Sequence, residues 1–190
     1  MRRIIFFIPN IERGGIEKNL VILSNYFLKK NYNVEIIYTK ISKEIKNKIN
    51  KNINLVKSEK ILNIPFFPER IINSINCFLF LLMKYDFLKK SLILSLQDHP
   101  FAIFVAKIKK VPCLIRIANH PVGSLKFYNN KLSFFLKINI KKFFYYFASG
   151  IICNSNSSSN FFKKIYKSKN RYIVNIYNPI EIKRIKKSKK

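Results

Sequence analysis

Gly14 and Gly15 stand side by side in a chain of 190 residues that has only four glycines. Glycine permits positive φ and lets backbone come close to a ligand. Where such a pair opens a helix, the first-turn N–H groups and the positive end of the helix dipole suit a phosphate. The spacing is not G-x-G-x-x-G, and Lys18 lacks the preceding glycine of a P-loop, so neither nucleotide fingerprint is present. Glu17 falls in the first helical turn, where the dipole favours an acid whether or not a ligand is near. Both histidines, His99 and His120, precede a proline, which biases them toward extended backbone. By themselves Asp98 and His99 read as solvated turn residues, and His120 as a loop histidine beside Asn119. Arg116 lies inside the apolar run Pro112–Ile117, where a guanidinium needs a carboxylate, a carbonyl or a ligand anion. With nine acids in the chain, a ligand or a cleft-facing position is plausible for it. Ser155 and Asn178 read most simply as a helix cap and a turn residue.

These residues need elements to hold them. Arg3–Pro9 is a continuous apolar run closed by Pro and Asn, as in a buried parallel strand. The periodicity then predicts a helix over Glu17–Lys30 and a strand over Val34–Thr39. A polar Lys/Asn stretch leads to a weak strand at Ile53–Val56. Pro65 and Pro68 precede a helix over Glu69–Lys84. Further strands are predicted at Ser91–Leu96, Pro112–Ile117, Gly150–Cys153 and Tyr172–Ile176. Helices fall at Phe101–Lys109, Leu132–Phe147 and Ser157–Tyr166. The alternation predicts an α/β, Rossmann-like domain with a mostly parallel sheet of about seven strands and helices on both faces. It spans residues 1–180, and residues 181–190 form a basic tail. Ligands of such sheets bind beyond the carboxyl ends of the strands. The segments there read NIERGG, QDHP, ANHPVGS and NSNSSS, which gathers the chemistry-capable groups on one rim.

Composition bounds the partners. Hydrophobic residues make up 48% of the chain, enough for a packed core and too many for extended disorder. Lys plus Arg is 37 against 9 acids, a net charge of +28, which points toward polyanions. Ile, Lys, Asn, Phe and Tyr, the residues encoded by A and T alone, account for 112 of 190 positions, so coding bias is a competing cause of the charge. The three cysteines are widely spaced and read as buried, reduced thiols of a cytoplasmic protein. The apolar part of the N-terminus, Ile4–Ile8, is too short for a signal-peptide core, and the longest greasy stretch, Cys77–Met83, is far short of the ~20 residues a spanning helix needs.

The segment PNIERGGIEKNLVILSNYFLKKNYNVEIIYT resembles the opening of glycosyltransferase family 4, whose members carry P-x-x-x-x-G-G-[AIV]-E after the first strand. The family's next strand is entered by glycine; here Asn31–Tyr32–Asn33–Val34 stands in its place. VPCLIRIANHP is similar to the fifth strand with its R-x-x-N ending, YFASGIICNSNSSSNFF to the A-D-x-I-V-x-x-S block, and VNIYNP to the closing V-I-x-N-P. The blocks occur in the family's order over about residues 4–180.

The resemblance implies one half of a GT-B enzyme. That is the N-terminal, acceptor-side domain of a retaining glycosyltransferase, using a nucleotide-sugar donor and a surface-glycan or lipid-linked acceptor. Gly14 and Gly15 match the loop that reaches the donor diphosphate, and Glu17 matches its acid. His120 lies just past the position of the family's histidine and is the candidate catalytic residue. Asp98, His99, Arg116 and Asn119 would line the cleft. No glutamate has another eight positions later, so the E-x7-E pair of the family's donor-binding half has no counterpart. The expectation is a truncated or split enzyme, inactive alone and completed by a companion chain, with no cofactor and no metal. The alternative is a basic, non-catalytic module for an anionic membrane surface or nucleic acid. Nucleic acid is disfavoured, because the aromatics fall at helical core spacing and no helix-turn-helix, RRM or zinc pattern appears. A membrane partner would place the protein peripherally on the inner face.

Overall fold

The computed structural model describes residues 2–87, 90–97, 100–118, 139–140, 142–166 and 172–179. Strand β1 (Arg3–Phe7) is the first apolar run, buried on both faces. Beyond Pro9 the chain makes a two-residue strand, β2 (Asn10–Ile11), which pairs in parallel with β4 (Lys40–Ile41). Helix α1 (Gly15–Lys29), strand β3 (Asn33–Tyr38) and helix α2 (Lys43–Lys48) complete this part. Strand β5 (Asn54–Lys57), helix α3 (Glu69–Met83), strand β6 (Ser91–Ser95) and helix α4 (Pro100–Ile108) follow. The chain continues through β7 (Cys113–Ile117), β8 (Gly150–Cys153), α5 (Asn156–Ile165) and β9 (Tyr172–Asn175). Residues 139–140 and 142–145 are helical, residues 146–147 form a turn where the prediction continued the helix, and the remainder of the helix predicted at 132–147 lies outside the described residues. Neither α2 nor the β2–β4 pair was expected. In α2 only Ile45 is buried, so no apolar period marks it; the Ser42 side chain caps it by accepting from the Ile45 N–H at 3.4 Å.

The main sheet runs β5-β3-β1-β6-β7-β8-β9, with every pairing parallel. The chain winds outward from β1 through β3 to β5, returns to the other side of β1 at β6, and winds outward again. Right-handed crossovers therefore put the helices of the two windings on opposite faces. Leu20 of α1 and Ile45 of α2 pack with Ile4, Phe6, Ile36 and Leu94 on one face. Cys77 and Leu81 of α3, Ile103 of α4 and Phe162 of α5 pack with Ile5, Phe7, Ile93 and Ile151 on the other. Burial on both sides explains why the strands read as unbroken apolar runs rather than alternating ones. All three cysteines are free and buried. Burial pushes the Cys113 thiol up to about 12 and the Cys153 thiol to about 11, so neither is a nucleophile at neutral pH.

Two local features are set by backbone geometry. Helix α1 ends in a Schellman turn: Asn31 N–H donates to Leu28 O at 3.0 Å and Tyr32 N–H to Phe27 O at 3.1 Å. Asn31 takes φ 61°, the left-handed conformation for which asparagine is the best substitute for glycine. Gly150 opens β8 between two neighbours. A Cβ there would meet Leu114 Cδ2 at 2.8 Å and Tyr172 O at 3.0 Å. At the amino end of the sheet, Glu35 is held by Arg3 at 3.2 Å and by the Tyr85 hydroxyl.

Asn31→Val should therefore cost about 1–2 kcal/mol of stability while Asn31→Gly costs nothing, read from urea unfolding midpoints. Gly150→Ala should cost about 1–3 kcal/mol by overpacking the β7–β8–β9 seam, seen as a lowered Tm with an unchanged far-UV spectrum.

Candidate functional site

The winding reverses between β1 and β6, so the crevice of this sheet lies outside the carboxyl ends of those two strands. The segment after β1 rises into it and turns down into α1. Gly14 is the N-cap, with φ 173° and ψ −175°, and no side chain caps the helix. This is extended backbone open to any residue, and no described glycine has a φ in the left-handed region. Of the two properties expected of the glycine pair, positive φ is not used, and what the pair provides is room for close approach. A Cβ on Gly14 would lie 2.6 Å from Glu17 Oε2, and a Cβ on Gly15 would meet nothing within 4 Å. The first-turn N–H groups, which have no intrahelical acceptor, are left uncovered by side chains on the Gly15 side.

Glu17 is buried, and its carboxylate curls back over Gly14 to the positive end of its own helix. Among the described glutamates it alone makes no ion pair. Arg116 is its counterpart across the rim, only 5% exposed and with no carboxylate partner among the described residues. It sits on the α1 face of the sheet, where its strand neighbour Leu114 joins the α1-side core. Its Nη2 donates to Asn178 Oδ1 at 2.7 Å, and the same oxygen accepts from Asn19 Nδ2 at 3.4 Å. Burial lowers the pKa of the guanidinium, which nevertheless stays charged. A guanidinium has five N–H donors, and one neutral amide oxygen compensates its buried charge only in part. The complement of such a group is an anion with several acceptor oxygens.

Asn19 is the residue that sequence reasoning missed, and Asn178 does more than the turn expected of it. Asn178 was read as a turn former; here it links the segment after β9 to β7 and α1. Asn19 is a buried amide on α1, adjacent to Leu20 in the core. A polar residue buried beside a core position is the signal that could have found it. Around the same rim, Asn154 donates to the Ala118 carbonyl, and Ser155 caps α5 by accepting from the Ser158 N–H at 3.2 Å, as expected of it. Ser95 Oγ donates to Gln97 O at 2.5 Å where β6 ends. The structure thus brings Gly14, Gly15, Glu17 and Arg116 to one rim. Asp98, His99, Asn119 and His120 lie outside the described residues. Among the described residues no group of three or more His, Cys, Asp or Glu side chains comes together to hold a metal ion.

No protein-family model matches the sequence, and no curated protein matches it either. Solved structures do. The structure of HepE from Anabaena in complex with UDP and glucose superposes with a TM-score of 0.63 at 15% identity, over 96% of this chain and 46% of that one. Sucrose-phosphate synthase from Thermosynechococcus elongatus gives 0.65 at 12% identity, over 96% and 49% of the two chains. A UDP-N-acetylglucosamine 2-epimerase gives 0.61 at 13% identity, over 91% and 48%. At these identities the likeness shows the fold, a Rossmann-like α/β domain. The chain spans about half the length of each of these three structures.

Proposed function

We propose that this chain is the acceptor-side half of a glycosyltransferase that uses a nucleotide-sugar donor. The observation that carries the reading is a buried arginine with no carboxylate partner among the described residues, tied through one asparagine to a helix whose N-terminal glycine faces open space. Both groups suit the oxygens of a diphosphate. The order of the four family-like blocks supports the reading, as does a fold shared with a protein crystallised with UDP-glucose.

Sugar transfer breaks the bond between the anomeric carbon and the diphosphate, and the leaving group must be stabilised as charge develops on it. In this reading the Gly15 and Ile16 amides take one phosphate and Arg116 approaches the other. Asn178 fixes the guanidinium and Asn19 ties that amide to α1, so both donors are set before the ligand arrives. Glu17 occupies the helix end that the phosphate would share and would swing aside on binding. His120 is assigned to the acceptor hydroxyl, and Asp98, His99 and Asn119 to the cleft wall. The remaining donor contacts would come from a second Rossmann-like half, in this polypeptide or another.

The test is amide NMR of the chain titrated with UDP-glucose into the millimolar range. Shifts should concentrate at Gly14–Glu17 and at Arg116 Nε. Gly15→Val should abolish them without lowering Tm, because the added side chain meets only open space. Arg116→Lys should weaken binding by about tenfold, the value of a lost bidentate charge-assisted pair. Shifts scattered over the lysine-rich surface, unchanged in Gly15→Val, would refute the reading.

A further inference from the structure

The loop between β5 and α3 carries the most exposed large apolar side chain on the described surface, with others beside it. Phe66 is fully exposed (105%) and Phe67 is 57% exposed, and Leu62, Ile64 and Ile71 stand open beside them. This is not a slack segment. Asn76 of α3, itself fully buried, accepts from the N–H groups of Ile61 and Leu62 at 3.1 and 2.7 Å and donates to Leu62 O at 3.0 Å. Pro65 and Pro68 bracket the two phenylalanines, and each restricts the backbone of the residue before it. Phe66 has φ 68°, rare for a bulky side chain. The loop is thus braced at its base and stiffened at its tip, so presenting the aromatics to a partner costs little ordering entropy.

The charges around it are sorted. Glu59 is paired with Lys84 and Glu69 with Lys40, which neutralises both acids of the loop region. Lys57 and Lys60 are exposed and make no ion pair among the described residues. An apolar tip flanked by unpaired lysines meets the two requirements of an anionic bilayer interface, hydrocarbon to receive the side chains and phosphate to receive the cations. A second copy of a chain with net charge +28 would be repelled. Nucleic acid would stack on Phe66 but gain nothing from Leu62, Ile64 and Ile71.

We infer that the Leu62–Phe67 loop is a membrane-insertion element that seats this chain on an anionic bilayer. Its position gives the contact a consequence. Arg70 pairs with Glu12 at 2.7 Å, and Asn73 Nδ2 donates to Asn10 Oδ1 at 2.6 Å, so the loop and the segment leading to Gly14 belong to one rim of the sheet. Insertion would hold the crevice beside the lipid headgroups. The contact does not depend on what the crevice binds, so its failure would leave the proposed donor site untouched.

The chain has no tryptophan, so Phe66→Trp provides a single reporter at the tip. With vesicles of equal parts phosphatidylglycerol and phosphatidylcholine, its emission should shift to the blue and be quenched by brominated acyl chains. Tyr172→Trp, on the edge strand β9, should show neither change. The double variant Phe66→Ser/Phe67→Ser should partition at least about tenfold more weakly at the same salt, with an unchanged Tm because both rings are exposed. The inference is overturned if that variant binds vesicles as well as the parent, which would leave charge alone as the cause. It is also overturned if the indole responds to single-stranded DNA and not to brominated lipid.

Discussion

A parallel sheet covered by helices on both faces has no polar surface of its own except at its two rims. That constraint organises this protein. Every strand pairing in the main sheet is parallel, and the described core lies in two layers, one on each side. Side chains that must stay polar are driven to the strand ends, where crossovers begin and end. The amino rim is used structurally, with Glu35 satisfied by Arg3 and the Tyr85 hydroxyl. The carboxyl rim is different. There Arg116 and Glu17 are both buried, and neither has a charged partner among the described residues.

Uncompensated buried charge is costly, and a structure tolerates it where surrounding dipoles offset part of the cost or where a ligand completes the set. Both features are present. The helix dipole of α1 supports the Glu17 carboxylate, and the Asn178 amide supports the guanidinium. Neither support is saturated. Among the described residues Arg116 donates to one amide oxygen, and the α1 N-terminus lacks a side-chain cap. This combination ties the carboxyl rim to anion chemistry more firmly than the overall charge does, because a buried donor set is directional and a surplus of surface lysines is not.

Much of the fold was legible in the residues. The β1 run, the α1 and α3 periods and the Gly150–Cys153 strand all lie within one or two residues of their predicted bounds. Each buries a face, and a buried face writes a period into the sequence. Helix α2 and the β2–β4 pair left no such trace. Lys43–Lys48 buries one side chain, and a two-residue strand is too short to show any pattern. The site was half legible. Gly14, Gly15, Glu17 and Arg116 are singled out by type and position, and of the two properties read for the glycines, positive φ and close approach of backbone, only the first is absent. Their φ values are ordinary, and it is steric space that they supply.

What the sequence determined by itself was the layering: a parallel sheet, helices on both faces, and polar segments at the strand ends. These follow from local periodicity and burial, which a chain carries along its own length. Only the tertiary structure decided that Asn19, Arg116 and Asn178, spread over 159 positions, converge on one amide oxygen. Only it decided that the Leu62–Phe67 loop stands braced beside the same rim. Convergence of that kind depends on the order in which strands are laid down and on the hand of their crossovers, and no local pattern encodes either.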